Sequence, residues 1–209
     1  MKRLLRLAVP ALLAWLLPAT AQAAASPCSA TRGERLAPPS ARVDVVRTPR
    51  GAFQACDRRT RRRTRLDVPT VVGDPDAYVE QVVVAGRFVA FVRGARSPCS
   101  TCGGGAFPRL VDASTGRDRP LGTAGCGGTH VITDLVADAR GRVAWICFRS
   151  GNVDLAGGQQ AEVRAVDRDG PRLLDTEADG TGIRFESLEL AAGLLRWEAP
   201  DGPRSAALA

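Results

Sequence analysis

Lysine is nearly missing from this chain. Lys2 is the only one among 29 lysines and arginines. No P-loop lysine and no Schiff-base lysine can therefore operate beyond the second residue. The same bias suits a GC-rich bacterial genome, since Arg, Ala, Gly and Pro have GC-rich codons and Lys has AT-rich ones. Histidine is as scarce: His130 stands alone, which allows at most one Ser–His or Cys–His arrangement. Neither G-x-S-x-G nor H-E-x-x-H occurs. Helical periodicity is missing too. After residue 25 the apolar positions alternate with a period of two rather than 3.6, the spacing of strands. No later apolar run approaches the ~20 residues of a membrane-spanning helix, so the chain is expected to be soluble once its leader is removed. Aromatic residues make up 5% and apolar residues 44% of the sequence, enough for a modest β core.

What is present begins with an export signal. Lys2, Arg3 and Arg6 make a basic start, residues 7–17 are apolar apart from Pro10, and Pro18 ends the run. Ala21-Gln22-Ala23 and Ala23-Ala24-Ala25 both meet the small-x-small cleavage rule. The expectation is a signal peptide over residues 1–25, cut after Ala23 or Ala25. The protein is then secreted or kept in the cell envelope, and it meets a membrane only through an uncleaved signal. Pro27 argues against lipid attachment at Cys28, because that position wants Gly, Ala or Ser. The formal net charge is +7. Removing the three basic residues of the signal leaves 26 basic against 22 acidic residues, a balance of +4. Arg58, Arg59, Arg61, Arg62, Arg63 and Arg65 supply six of the 26, and without them the balance is −2. The high isoelectric point comes from one tract.

Internal repetition organises the rest. Asp57, Asp112 and Asp167 are separated by 55 and 55 residues, each at the start of a turn. Thr60 and Thr115 keep the same offset, as do Leu66 and Leu121. Val89-Ala90-Phe91-Val92 recurs as Val143-Ala144-Trp145-Ile146, and Leu195-Arg196-Trp197 is a weaker third copy. Phe91, Trp145 and Trp197 are 54 and 52 residues apart. A near-constant period of this length indicates stacked or radial repeat units. Within a unit, strands are expected at 78–85, 88–93 and 109–112, with a short one ending at 121. The next unit places them at 131–138, 142–148, 162–166 and 171–174. Turns fall at Gly86-Arg87, Ser114-Thr115-Gly116, Ala139-Arg140-Gly141 and Asp169-Gly170, where Gly and Asp suit hairpin turns. Each unit reads as a four-stranded antiparallel meander. Two are complete, with a partial unit before residue 67 and another after residue 183. Residues 26–39, with Pro27, Gly33, Pro38 and Pro39, read as an irregular leader.

Asp138-Ala139-Arg140-Gly141-Arg142-Val143-Ala144-Trp145, followed by Val163-Arg164-Ala165-Val166-Asp167-Arg168-Asp169-Gly170, resembles a blade of TolB-like or WD-type β-propellers. In that family a D-x-x-G-type turn joins the inner two strands and a D-x-x-x-G-type turn the outer two. The resemblance covers about residues 40–209. It implies an all-β fold of repeated four-stranded antiparallel meanders, a small or incomplete β-propeller, and it implies no ligand. Closed propellers usually need four blades or more. Three outcomes follow: N-terminal strands complete the last blade, the sheets stay open, or the ring closes in an oligomer.

Six cysteines, Cys28, Cys56, Cys99, Cys102, Cys126 and Cys147, are an even number in a chain expected to be exported, which favours disulfides. Cys126 and Cys147 belong to one unit and could bridge. Cys28–Cys56 would then tether the leader and leave Cys99–Cys102. The alternative is a structural zinc or redox module, because Cys99-x2-Cys102 with Cys126-x3-His130 offers three thiolates and an imidazole. Zinc needs deprotonated thiols, and export favours their oxidation. A thioredoxin-type site would also need a βαβ setting. The Gly-rich loops at 103–105 and 157–158 lack the strand–loop–helix context of a phosphate cradle. No cofactor is expected.

The Arg tract offers a polyanion site, through charge pairing and counterion release. It also occupies the turn and outer strand of its repeat, where charge protects an exposed edge. No aromatic residue interleaves it, which speaks against specific nucleic-acid recognition. A carboxylate-based hydrolase would need two carboxyls roughly 5–9.5 Å apart. Glu186 and Glu189, three apart in a strand-like segment, are expected on opposite faces. Asp134 and Asp138 share a face but lie ~13 Å apart at about 3.3 Å per residue. The repeated Asp57, Asp112 and Asp167 are expected to bond their own turns. Phe91, Trp145 and Trp197 are expected between blades as core. Variable loops near 94–108 and 150–160 on a fixed frame suit recognition. The sequence thus points to a noncatalytic binding or interaction scaffold whose partner is a protein or an envelope polymer.

Overall fold

The computed structural model describes Cys28 and residues 33–38, 42–66, 77–95, 106–121, 130–149, 160–177 and 182–209. The expected signal peptide lies outside them. Among the described residues there are fifteen strands, no helix, and hence no helix long and apolar enough to cross a membrane. The strands form four antiparallel sheets. The first holds β1 (Glu34–Arg35), β2 (Val43–Arg47), β3 (Phe53–Asp57) and β4 (Arg62–Arg65). The second holds β5 (Ala77–Ala85), β6 (Phe88–Ala95), β7 (Ala106–Asp112) and β8 (Arg117–Pro120). The third holds β9 (His130–Ala137), β10 (Val143–Arg149), β11 (Gln160–Asp167) and β12 (Gly170–Glu177). The fourth holds β13 (Glu189–Ala191), β14 (Leu194–Ala199) and β15 (Gly202–Ala207). Every sheet is a meander whose spatial order follows the chain. The architecture is all-β with repeated meanders, consistent with a small or incomplete propeller-like arrangement.

The sheets stack in chain order through three apolar cores. Val43 and Val45 meet Val89, Phe91 and Val111 between the first and second sheets. Ala90, Val92 and Leu110 meet Ile132, Trp145 and Cys147 between the second and third. Ala144, Ile146 and Val163 meet Leu195, Trp197 and Leu208 between the third and fourth. Phe91, Trp145 and Trp197 therefore occupy successive cores. The strand sequences explain why. Successive side chains of a strand point to opposite faces, and β6 and β10 serve a core on each face, so Val89-Ala90-Phe91-Val92 and Val143-Ala144-Trp145-Ile146 are fully buried runs. β14 serves one core only. Leu195, Trp197 and Ala199 are buried, whereas Leu194, Arg196 and Glu198 are exposed.

Among the described residues no apolar cluster joins the fourth sheet to the first. Nor, among the described residues, does any N-terminal strand pair with the fourth sheet. β1 pairs instead with β2 of its own sheet, Glu34 opposite Arg47 and Arg35 opposite Val46. Leu36 N–H donates to Val45 O at 3.0 Å. Part of the expected irregular leader is thus an edge strand, and the first unit is complete rather than partial. A disulfide between Cys28 and Cys56, with Cα atoms 5.6 Å apart, holds the leader on that sheet. Cys147 is also disulfide-bonded.

Turn residues set the contact between sheets. Gly141, at φ 81°, lies against the Phe88 ring so closely that a Cβ would stand 3.1 Å from it. Gly193, at φ 87°, bears in the same way on Arg142, where a Cβ would come within 2.3 Å of the guanidinium. A bulge in β5 between Glu80 and Val83 turns Gln81, at φ 49°, toward the third sheet. Its Nε2 donates to Ile132 O at 2.5 Å.

Candidate anion-binding face

An antiparallel meander returns alternate turns to the same end, and cross-sheet contacts bring those ends together. Gly116 of the β7–β8 turn faces Arg62. Arg119 Nη2 reaches Asp167 O at 3.5 Å. Arg142 Nη1 donates to Leu208 O at 2.7 Å. The repeated aspartates stand on this end, and their carboxylates are occupied. Asp57 Oδ1 accepts from the Arg59 and Thr60 N–H groups at 2.8 and 3.0 Å, and its Oδ2 accepts from Arg42 Nε at 3.0 Å. Asp112 Oδ1 accepts from Ser114 N–H at 2.9 Å, while Oδ2 faces Arg87 Nε at 3.2 Å. Asp167 Oδ1 accepts from Asp169 N–H at 3.0 Å; its Oδ2 pairs with Arg172 and accepts from Ala209 N–H at 3.0 Å. Asp138 accepts from Arg140 N–H at 2.9 Å and from Arg142 Nε at 2.6 Å. These are Asx turns locked by a guanidinium.

Opposing causes set the acidity of these groups. Burial pushes the Asp57 carboxyl up, but hydrogen bonds from Thr60, Arg42 and Arg59 outweigh it and hold it below its ordinary value. Asp138 is held down in the same sense, burial being outweighed by the Arg142 side chain and the Arg142 and Arg140 N–H groups. For Asp167 the outweighing groups are the Ala209 and Asp169 N–H groups and the Arg172 charge.

The six arginines of the tract are not placed alike, and Arg63 and Arg65 are not free of partners. Arg58 holds Asp44 with two hydrogen bonds, 2.8 Å from Nε and 2.6 Å from Nη2. Arg63 and Arg65 lie exposed on β4, the outer strand of the first sheet. Arg59 and Arg61 are exposed on the β3–β4 turn, and Arg62 leans on the next sheet at Gly116. Among the described residues Arg59, Arg61 and Arg62 have no carboxylate partner, and neither do Arg117, Arg140 and Arg168. The tract is therefore one end of a wider basic face. Sequence reading missed the rest, although the signal is there: Arg62, Arg117 and Arg172 are separated by 55 and 55 residues, each five after a repeated aspartate.

Between the second and third sheets this face is indented by a cleft of about 300 Å³. Its walls are Phe88, Leu110, Arg117 and Arg119 on one side and Arg140 and Gly141 on the other, and Asp112 also borders it. Arg87 lies over the Phe88 ring at 4.8 Å.

The carboxylate pairs are placed differently from one another. Asp134 accepts from Leu188 N–H at 2.7 Å, fastening the fourth sheet's approach to β9. Burial and the Glu186 charge raise its pKa, against the pull of the Leu188 and Leu135 N–H groups. Asp138 is taken up by Arg142. Glu186 and Glu189 do not lie on opposite faces: both line one open groove of about 420 Å³ with Arg184 and Arg196. Glu186 sits in a turn at φ 57°, ahead of β13, so strand alternation does not govern it. Trp197 Nε1 donates to Asp175 Oδ2 at 2.7 Å, while buried Trp145 Nε1 has no hydrogen-bond partner among the described residues. Cys99, Cys102 and Cys126 lie outside the described residues. His130 opens β9. Among the described residues no group of three or more His, Cys, Asp or Glu could hold a metal. In comparison with known proteins, no family model and no curated sequence matches this chain.

Proposed function

We propose that the chain is an exported, noncatalytic binding scaffold that holds an acidic polymer of the bacterial envelope on its turn face. The observation that carries this reading is the division of charge on that face. Its repeated carboxylates are consumed by their own turns and by Arg42, Arg87, Arg142 and Arg172. Among the described residues Arg59, Arg61, Arg62, Arg117, Arg140 and Arg168 remain without carboxylates. Exposed guanidinium groups on a rigid β frame attract carboxylate or phosphate groups, with screening over about 8–10 Å at physiological salt. A repeating anionic chain would meet several of them at once. In the same reading the repeats are degenerate relatives of TolB-like or WD-type blades, and the export signal delivers the scaffold to the envelope.

Retention of the oxidised protein on an immobilised polyuronate, followed across a salt gradient, tests the proposal. The wild type should elute late and shift earlier as salt rises. Replacing Arg59, Arg61 and Arg62 together by Gln should weaken binding by ~10-fold, since each exposed pair is worth up to about 1 kcal/mol. Wild-type protein that passes straight through at low salt would refute the reading.

A further inference from the structure

We infer that the cleft between the second and third sheets is a discrete seat for one oxyanion carried on a sugar, the carboxylate of a uronate or the phosphate of a sugar phosphodiester. The inference rests on the envelope-polymer reading and names the chemical unit recognised there. At about 300 Å³ the cleft has the lower-limit size of small-ligand pockets, room for one sugar unit rather than an extended chain. Arg117 and Arg119 are two apart on β8, and alternation puts both on the same face. Arg140 approaches from the β9–β10 turn on the opposite wall. Arg119 is steadied by its bond to Asp167 O at 3.5 Å, and a guanidinium has five donors, so most of its donors remain. The bordering carboxylate cannot neutralise the three cations. Asp112 spends Oδ1 on Ser114 and Oδ2 on Arg87.

The rest of the wall suits a sugar. Phe88 and Leu110 give an apolar side beside the cations. The Phe88 ring is held under the Arg87 guanidinium at 4.8 Å and against Gly141 of the facing wall, whose lack of a Cβ permits the contact. Three guanidinium groups about one small cavity repel one another until an anion enters, and the planar forks of Arg match two-oxygen groups. Binding at this seat would anchor one unit of a polymer whose neighbours run along the Arg59–Arg61 turn or the outer strands.

Titration calorimetry at low salt on the oxidised full chain tests the seat, with galacturonate, inorganic phosphate and neutral galactose as probes. At least one of the two anions should bind, and galactose should not. Arg117→Gln with Arg140→Gln should weaken that binding at least 10-fold, whereas Arg50→Gln, an exposed arginine of the β2–β3 turn at the other end of the first sheet, should leave it unchanged. Among the described residues neither Arg117 nor Arg140 holds an ion pair, and an unaltered thermal midpoint confirms that the variants fold. Binding of galacturonate alone assigns a carboxylate source, and binding of phosphate alone assigns a phosphodiester. Equal binding of galactose, no binding of either anion, or indifference to the Arg117/Arg140 pair would overturn the seat. Polyuronate retention by the same samples separates the two readings. If retention survives when the seat fails, only the seat is lost; if both fail, the scaffold reading falls with it.

Discussion

The aspartates at 55-residue spacing show how one side chain can set a repeat. Each carboxylate satisfies the first N–H groups of its own turn and then captures an arginine. Asp57 takes Arg42 and Asp112 takes Arg87, both from the beginning of the sheet's second strand, while Asp167 takes Arg172 from the outer hairpin. The turn bond is local and was legible in the sequence. The arginine partner is 15 residues away for Asp57 and 25 for Asp112, and only pairing of the strands brings it close. These bonds have a pH signature. Asp57, Asp138 and Asp167 have lowered folded pKa values, so their contribution is complete above the unfolded carboxylate value of about 3.9 and is lost as pH falls through the lower folded values. Asp134 works in the opposite sense. Its folded value is raised, so protonation as pH falls toward 4 favours the folded chain. Urea unfolding followed from pH 7 downward should therefore show a small gain above about pH 4 and a steep loss below it. Asp134→Asn keeps an oxygen for the Leu188 N–H and should abolish the gain while raising stability at pH 7. A variant that keeps the gain would show that Asp134 is not its source.

Among the elements, the contrast between β10 and β14 is decided by their neighbours. β10 has a sheet on each face and is apolar on both, whereas β14 has one and alternates. The alternation could be read directly; that it marks the end of the stack required knowing which sheets touch. β1 shows the reverse. Two residues in a Pro-rich leader carry too little pattern to announce a strand, and β2 provides the ladder that makes them one. The leader is also held by Cys28–Cys56, which closes a 28-residue separation. Loop-closure entropy for such a length corresponds to ~3.5 kcal/mol. Replacing Cys28 and Cys56 together by Ser should cost about 2–4 kcal/mol in chemical denaturation, with the first sheet losing hydrogen-exchange protection before the third. A loss near zero would mean that β1 and Leu36 hold the leader without the covalent tether.

At the scale of the whole molecule the four sheets stack in chain order, and among the described residues no apolar cluster joins the last to the first. At one end the Cys28–Cys56 bridge and the Arg58–Asp44 pair lie on the outward face of the first sheet, where Asp44, Val46 and Cys56 are buried. At the other end β14 presents Arg196 and Glu198, and β13 presents Glu189. The polar outer face of the fourth sheet lets the repeat array end there without recruiting a further unit. The chain should therefore sediment as a monomer at micromolar concentration, and a dimer that persists on dilution would show that one of these faces is an interface. The same stacking brings turn ends of neighbouring sheets together, where arginines without a carboxylate partner among the described residues gather.

Hydropathy, turn chemistry and period are local properties, and they were enough to place most strands to within three residues, to separate the repeat units and to assign the turn aspartates. They were also enough to find one basic tract and to raise the expectation of export. The rest depends on residues far apart in the chain. The pairing of β1 with β2 of its own sheet, the capture of Arg58 by Asp44, and the placement of Glu186 in a turn beside Glu189 each follow from tertiary contacts. The cleft is the clearest case: β8 supplies Arg117 and Arg119, the next sheet supplies Arg140, and only the packing of Phe88 against Gly141 brings the two walls together.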